Sequence, residues 1–179
     1  QPFTTSLISS NIKNFKYSWI WEKNFATNFL HAKRQPLRKT EDICIFDKGE
    51  YFPQKATGHK PTQSAKGTSK GVLWHGTNIR NSPGGDTTRF PSNIIKMNAV
   101  DPKKRLHPTQ KPVELIEYLI KTYTTEDMVV LDNCAGSGTT AIACENLKRR
   151  WICIEKEESY LNSAIRRLNE HLSQCDIMI

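Results

Sequence analysis

Apolar residues recur along this chain at two different spacings, and the change from one to the other organises it. "KYSWIWEK" and "EDICIFDK" alternate apolar and polar positions at period two, which predicts two strands. The stretch between them, "NFATNFLHAKRQPLRKT", is long and basic, so the pair is expected to be an antiparallel hairpin with a basic connecting loop. The preceding "SLISSNIKNF" reads as the back of a helix and a loop. Beyond residue 107 the spacing becomes helical. Pro112 suits a first helical position, and Val113, Leu115, Ile116, Leu119 and Ile120 then share one face. "MVVLDN" and "WICIEK" are short apolar runs, expected as buried parallel strands. "GTTAIACENLKR" and "EESYLNSAIRRLNEHL" are the helices expected to follow them. Strand, helix, strand and helix in this order form a βαβ unit of an open α/β sheet.

Residues 48–106 obey neither period. "KATGHKPTQSAKGTSKG" is nearly devoid of apolar residues and "NSPGGDTTRFPSN" is dense in turn formers. Val72, Leu73, Trp74, Phe90, Ile94, Ile95 and Met97 are the candidate anchors that would pin this segment to a body. The expected organisation is therefore a hairpin-containing part at 1–47, a loop-rich insertion at 48–106 and a βαβ part at 107–179. Charge sharpens that division. Residues 48–105 hold eleven Lys or Arg against three Asp or Glu, so the whole excess of +8 lies there and the rest of the chain is balanced. A solvated loop is the plain explanation; a phosphate-contacting surface is the functional one.

Composition excludes several classes. No apolar run approaches the roughly 20 residues of a membrane helix. The start "QPFTTSLISS" has no basic leader before an apolar run, so a signal peptide is not expected, and without an initiating Met the chain is expected to be cut from something longer. Five cysteines without a Cys-x-x-Cys pair, three of them in or beside the βαβ elements, suit buried reduced thiols in a cytoplasmic protein and argue against a metal site.

The junction of the first βα pair carries the chemistry. Gly136-Ser137-Gly138-Thr139-Thr140-Ala141 matches G-x-G-x-x-G/A after a strand and at the start of a helix, the arrangement that lays a nucleotide on a tight turn. Glu155 ends the next strand, where a carboxylate takes two ribose hydroxyls. Such a turn serves a dinucleotide or S-adenosylmethionine. Asp132, at the carboxyl end of the first strand, favours the second, because it can meet an ammonium group that a nicotinamide cofactor lacks.

"HPTQKPVELIEYLI" followed by "VLDNCAGSGTTAIACENLKRRWICIEKEESYLNSAIRRL" closely resembles the C-terminal part of the β-type amino-group DNA methyltransferases. The front, "YSWIWEKNFATNFLHAKRQPLRKTEDICIFDKGEY", resembles the stretch that follows that family's catalytic motif. The resemblance implies a Rossmann-like S-adenosylmethionine-dependent sheet, incomplete in this chain, with the basic insertion as a target-recognition region. It implies methylation of adenine N6 or cytosine N4 in double-stranded DNA, adenine being favoured on overall likeness, within a restriction-modification system. It assigns Asp132, Ala135, Gly136, Ser137 and Gly138 to the cofactor turn and Glu155 to the ribose. His107, Thr109 and Lys111, with Pro108, Gln110 and Pro112, would lie against the methionine moiety, Thr109 making a direct polar contact. Where the family has Pro-Phe after the Asp, this chain has Asn133-Cys134, which thins that wall. Lys33, Arg34, Arg38, Lys39, Lys60, Lys66, Lys70, Arg80 and Arg89 are the expected DNA-backbone contacts, with Trp74, His75, Asn78 and Arg80 as candidates for the bases.

The family's catalytic tetrapeptide, Asp/Asn/Ser-Pro-Pro followed by an aromatic residue, does not occur in these residues; Asp101-Pro102-Lys103-Lys104 and Ser82-Pro83-Gly84-Gly85 are the nearest strings. No catalytic residue is therefore assigned, and the chain alone is expected to be inactive. Its strands are expected to have unpaired edges, and a complementing N-terminal segment or a second copy is a candidate partner. Two rivals stand beside this: a non-catalytic remnant that binds S-adenosylmethionine or DNA, and a nicotinamide oxidoreductase, which needs only the glycine turn.

Overall fold

In β1 (Phe15–Thr27) the side chains of Trp19, Trp21 and Lys23 fall on one buried face, as a period-two strand requires. β1 pairs antiparallel with β2 (Arg38–Phe46), Trp19 opposite Ile43 and Trp21 opposite Glu41. The hairpin is longer than the apolar alternation alone predicts. The chain continues as strand to Thr27 and resumes at Arg38, so Arg38 and Lys39 belong to β2 and not to the connecting loop. Within that loop Phe29–His31 forms a 3-10 turn. A short helix, α1 (Pro2–Ser10), precedes the hairpin.

The computed structural model describes residues 2–47, 49–70 and 77–176. They form two compact units, one comprising the chain up to Phe52 and again from Ser92, the other Pro53–Pro91. The smaller unit is built on the antiparallel pair β3 (Ala65–Lys70) and β4 (Thr77–Ser82), with Gly67 opposite Arg80, and on a bridge from Ala56 to Arg89. Polar groups hold it. Asp86 accepts from the Thr88 amide at 2.7 Å and the Thr88 hydroxyl at 2.8 Å, and these bonds keep its carboxyl below the usual carboxylate range. Arg89 donates to the carbonyls of Asp86, Thr88 and Lys60. Of the expected anchors, Val72, Leu73 and Trp74 lie outside the described residues, and Phe90 is exposed, its ring lying 4.4 Å from the Lys55 ammonium.

In the larger unit, β5 (Ile94–Lys96) adds to β1 in parallel, giving the order β2-β1-β5. Of the three remaining anchors, Ile95 is buried and Met97 packs on the core, whereas Ile94 is exposed. α2 (Val113–Tyr123) then joins two cores. Leu115 enters one made of Trp19, Trp21 and Ile95, while Ile120 enters another with Ala143 and Cys144. Both indoles on β1 are satisfied, Trp19 by the Tyr123 hydroxyl at 2.6 Å and Trp21 by the Met97 carbonyl at 2.9 Å, which is what buried tryptophans require. Pro112 caps the helix instead of opening it, one position before the expected place.

The βαβ unit forms as the periodicity predicts. β6 (Val129–Asp132) and β7 (Arg150–Cys153) pair in parallel around α3 (Thr139–Asn146), and α4 (Glu158–Asp176) closes the chain. The strands are not buried on both faces, however. Val130 and Trp151 pack against the second core, but on the opposite face Val129, Leu131, Ile152 and Ile154 are exposed, Leu131 at 63%. α2 and α3 cover one side of this two-stranded sheet, and no element of the described residues covers the other. The β6-β7 sheet shares no ladder with the β2-β1-β5 sheet. Cys144 is buried and Cys153 half-buried, and burial pushes both thiols up to about 11, which leaves them unreactive; Cys134 departs from the expectation by being exposed.

Candidate functional site

Asp132 closes the turn that follows β6. One carboxylate oxygen accepts from the Cys134 amide at 3.0 Å and the other from the Thr140 hydroxyl at 2.5 Å, tying the strand end to the first turn of α3. Ala135 donates to the Ile154 carbonyl and accepts from the Gly138 amide, so the loop is stitched to the continuation of β7. Gly136 and Gly138 both have left-handed backbones, with φ of 54° and 72°. Close packing adds to the demand for glycine. A Cβ at Gly136 would meet the His107 ring at 3.3 Å, and one at Gly138 would meet the Ala164 Cβ at 2.9 Å.

Glu155 follows β7 and reaches this turn. Its Oε1 accepts from the Glu157 amide at 3.0 Å and its Oε2 from the Gly136 amide at 2.7 Å. These two amides hold its carboxyl below the usual range, so it is an anion beside the glycine turn. His107 lies over Gly136 and packs edge-on against Tyr160, with ring centroids 4.3 Å apart. Its Nδ1 accepts from the Thr109 amide at 3.2 Å and lies 3.1 Å from the Thr109 hydroxyl. Gln110 folds back to accept from the Leu106 amide, which makes residues 106–110 a tight turn seated on the glycine loop.

Lys111 points elsewhere. Its ammonium donates to Glu41 on β2 at 2.8 Å, and Glu41 also accepts from the buried Lys23 at 3.2 Å. Burial pushes the Glu41 carboxyl up, but hydrogen bonds and charge from Lys111 and then Lys23 outweigh this and leave it below its ordinary value of 4.5. A depressed folded-state pKa contributes stability above the unfolded value that is lost as pH falls through the folded one. The melting temperature of the native chain should therefore drop more steeply below about pH 4.5 than that of Glu41→Gln, as followed by circular dichroism. Parallel slopes would show that the ion pairs contribute nothing.

An open groove of about 500 Å³ runs between Met97–Val100 and Gln110–Glu114, with Arg167 on its wall. Sequence reasoning passes over Arg167, together with Tyr160 and Ala164 on the same helix. All three touch the site loops: Tyr160 the His107 ring, Ala164 the glycine turn, and Arg167 the backbone and side chain of Ser137. Their spacing of four and three residues places them on one stripe of α4. That periodicity was the available signal, but the stripe contains a cation and a tyrosine and does not stand out as apolar.

The basic residues assigned to DNA separate by environment. Lys33, Arg34, Arg38 and Lys39 are exposed in the hairpin region, Lys39 paired with Glu22 at 3.0 Å. Lys60 and Lys66 are exposed in the smaller unit, whereas the Arg89 guanidinium is occupied by backbone carbonyls. Trp74, His75 and the side chains of Lys70, Asn78 and Arg80 lie outside the described residues. Among the described residues no three His, Cys, Asp or Glu gather as metal ligands, and no helix is long and apolar enough to cross a membrane.

A glycine turn between a parallel strand and a helix, with an acid from just beyond the next strand hydrogen-bonded into it, defines a Rossmann-like α/β protein whose sheet is incomplete. The family profile described as DNA methylase matches residues 5–166, and the chain belongs to that family of N6/N4 amino-methyltransferases. Type II methyltransferase M.HindIII of Haemophilus influenzae is 40% identical over 84 residues, which cover 47% of this chain and 27% of that protein. M.BglII of Bacillus subtilis is 32% identical over 149 residues, 78% of this chain and 39% of the relative. The chain thus spans well under half the length of these relatives. Among solved structures, an M1.HpyAVI–SAM complex superposes with a TM-score of 0.62 at 26% identity, covering 94% of this chain and 70% of the other. PvuII cytosine-N4-specific DNA methyltransferase shares the fold, with a TM-score of 0.62 at 17% identity.

Proposed function

We propose that this chain is the cofactor-binding and DNA-contacting part of a DNA amino-methyltransferase, acting in the cytoplasm with S-adenosylmethionine as methyl donor. Adenine N6 is the favoured acceptor, on overall likeness. The observation that carries this is the 2.7 Å bond from the Gly136 amide to the Glu155 carboxylate, which sets an anionic acceptor beside a left-handed glycine turn at the carboxyl ends of two parallel strands. The residues fit the cofactor. Each Glu155 oxygen keeps a lone pair for a ribose hydroxyl, and Asp132 keeps one per oxygen for an ammonium group. Thr109 is exposed on the segment seated against the turn. When bound, S-adenosylmethionine supplies an electrophilic methyl group; these residues bind and orient it.

Methyl transfer also needs groups that accept hydrogen bonds from the target amine, making its nitrogen a better nucleophile, and a platform for a flipped base. In this family the Asp-Pro-Pro-aromatic segment does both, and it is not among these residues. The chain is accordingly inactive alone, and the polypeptide bearing that segment covers the outer face of β6 and β7. The exposed Leu131, Ile152 and Ile154 support this, as do the stretches of M1.HpyAVI, 30% of its length, that lie beyond the superposition.

Calorimetry with S-adenosylmethionine, then transfer of its labelled methyl group to duplex DNA, tests both statements. The expected result is cofactor binding without transfer until a segment containing the tetrapeptide is supplied. No cofactor binding would overturn the first statement, and transfer by the chain alone the second.

A further inference from the structure

Arg167 is the one cation on α4 that reaches the glycine turn, and it does so through a single nitrogen with three acceptors. Its Nη1 donates to the Ser137 carbonyl at 3.0 Å, the Thr139 hydroxyl at 3.0 Å and the Ser137 hydroxyl at 3.4 Å. Ser137 and Thr139 are buried. The Thr139 hydroxyl in turn donates to the Lys111 carbonyl at 3.3 Å. One guanidinium therefore ties α4 to the glycine turn and, through Thr139, to the end of the 107–112 segment. Among the described residues it meets no carboxylate, and burial draws its pKa below the ordinary arginine value. A half-buried cation spent wholly on neutral oxygens is an expensive way to staple a loop, and a neutral donor would do the same for less.

The reason lies in the turn itself. Ser137 stands between two glycines, and the Ser137–Gly138 peptide plane turns about the φ of Gly138, 72°, a region where glycine offers little resistance to its rotation. The Gly138 amide holds one edge of that plane through the Ala135 carbonyl, and a charge-assisted bond from Arg167 to the Ser137 carbonyl holds the other. Glu155 fixes the opposite end of the same loop, through the Gly136 amide. The two anchors divide the site between them. Glu155 governs the end where the ribose is proposed to sit, and Arg167 governs the Ser137–Thr139 end together with the 107–112 segment.

We infer that Arg167 is a positioning residue for the amino-acid half of the cofactor: it acts through Ser137 and Thr139, without touching the ligand, and leaves the adenosine half to Glu155. This rests on S-adenosylmethionine being the ligand of the turn, as proposed above.

The test compares two ligands on the full chain by calorimetry. S-adenosylmethionine carries the amino-acid group; methylthioadenosine lacks it and keeps the ribose and adenine. Arg167→Met should weaken S-adenosylmethionine about tenfold and methylthioadenosine less than about twofold. Thr139→Val should show the same split. The double variant should lose no more than the worse single one, because both remove one junction. A general loosening of the fold would weaken both ligands alike. Equal losses, no loss, or additive losses would each overturn the inference. Should Arg167→Met fail to fold, Thr139→Val removes the same junction with a smaller change and decides the question by its ligand split. Native protein that binds neither ligand would instead overturn the cofactor assignment itself, a result distinct from any of these.

Discussion

Glu155→Gln should lower the affinity for S-adenosylmethionine by about a hundredfold, the loss expected when two hydroxyls exchange a charged acceptor for half of an amide. The amide keeps one oxygen, so a single acceptor bond survives, and its NH2 faces either the Gly136 amide or the incoming ribose, both of which are donors. The carboxylate is unique at this place because it does two jobs at once. It accepts from the Glu157 and Gly136 amides and so shapes the turn, while its remaining lone pairs are those proposed to take the ribose hydroxyls. Glu155→Asp should be almost as damaging, since the shorter side chain cannot span to Gly136 and still present both oxygens. Calorimetry with adenosine separates these parts: Glu155→Gln should weaken adenosine and S-adenosylmethionine by the same factor, in contrast to Arg167→Met. A variant that binds S-adenosylmethionine like the native chain would remove Glu155 from the site.

Gly138→Ala should destabilise the chain by about 3 kcal/mol, or about 10 °C in melting temperature. Two independent costs combine. An L-residue at φ 72° is strained by about 1–2 kcal/mol, and the new Cβ would stand 2.9 Å from that of Ala164. Both atoms belong to backbone-anchored groups, so neither swings aside; α4 must shift as a body. Pairing the change with Ala164→Gly relieves the overlap and leaves the strain. The two substitutions should thus be non-additive by about 1 kcal/mol, the double variant being more stable than the sum predicts. Additive losses would mean that helix and turn are not in contact at this point.

How much of this was legible beforehand depended on whether a feature is local. The glycine turn, Glu155 and the helical face of α2 were readable because each is fixed by residues a few positions apart. The β1-β2 pairing was readable for the same reason, but its length was not: Lys23 occupies an inward position, and only a partner remote in sequence, Glu41, makes a buried ammonium tolerable there. Lys111 shows the same limit, since the motif marks its neighbourhood as a binding segment while its ammonium is committed to Glu41. Arg167 shares a helical stripe with Tyr160 and Ala164, but a stripe holding a cation and a tyrosine gives no apolar signal, and the role of Arg167 arises from its contact with Ser137 and Thr139. The β6 and β7 strands misled in the other direction. Apolar runs such as "VVL" signal a sheet meant to be covered on both faces, and here one face is bare among the described residues.

That bare face has a colloidal consequence. Aliphatic side chains at 129, 131, 152 and 154 invite copies of the chain to stack, while a net charge of +8 holds those copies apart. Salt screens the repulsion over about 8 Å at physiological strength and leaves the attraction intact. Dispersal of the chain in water is thus a contest that dilute buffer wins and a kosmotropic salt such as sulfate loses.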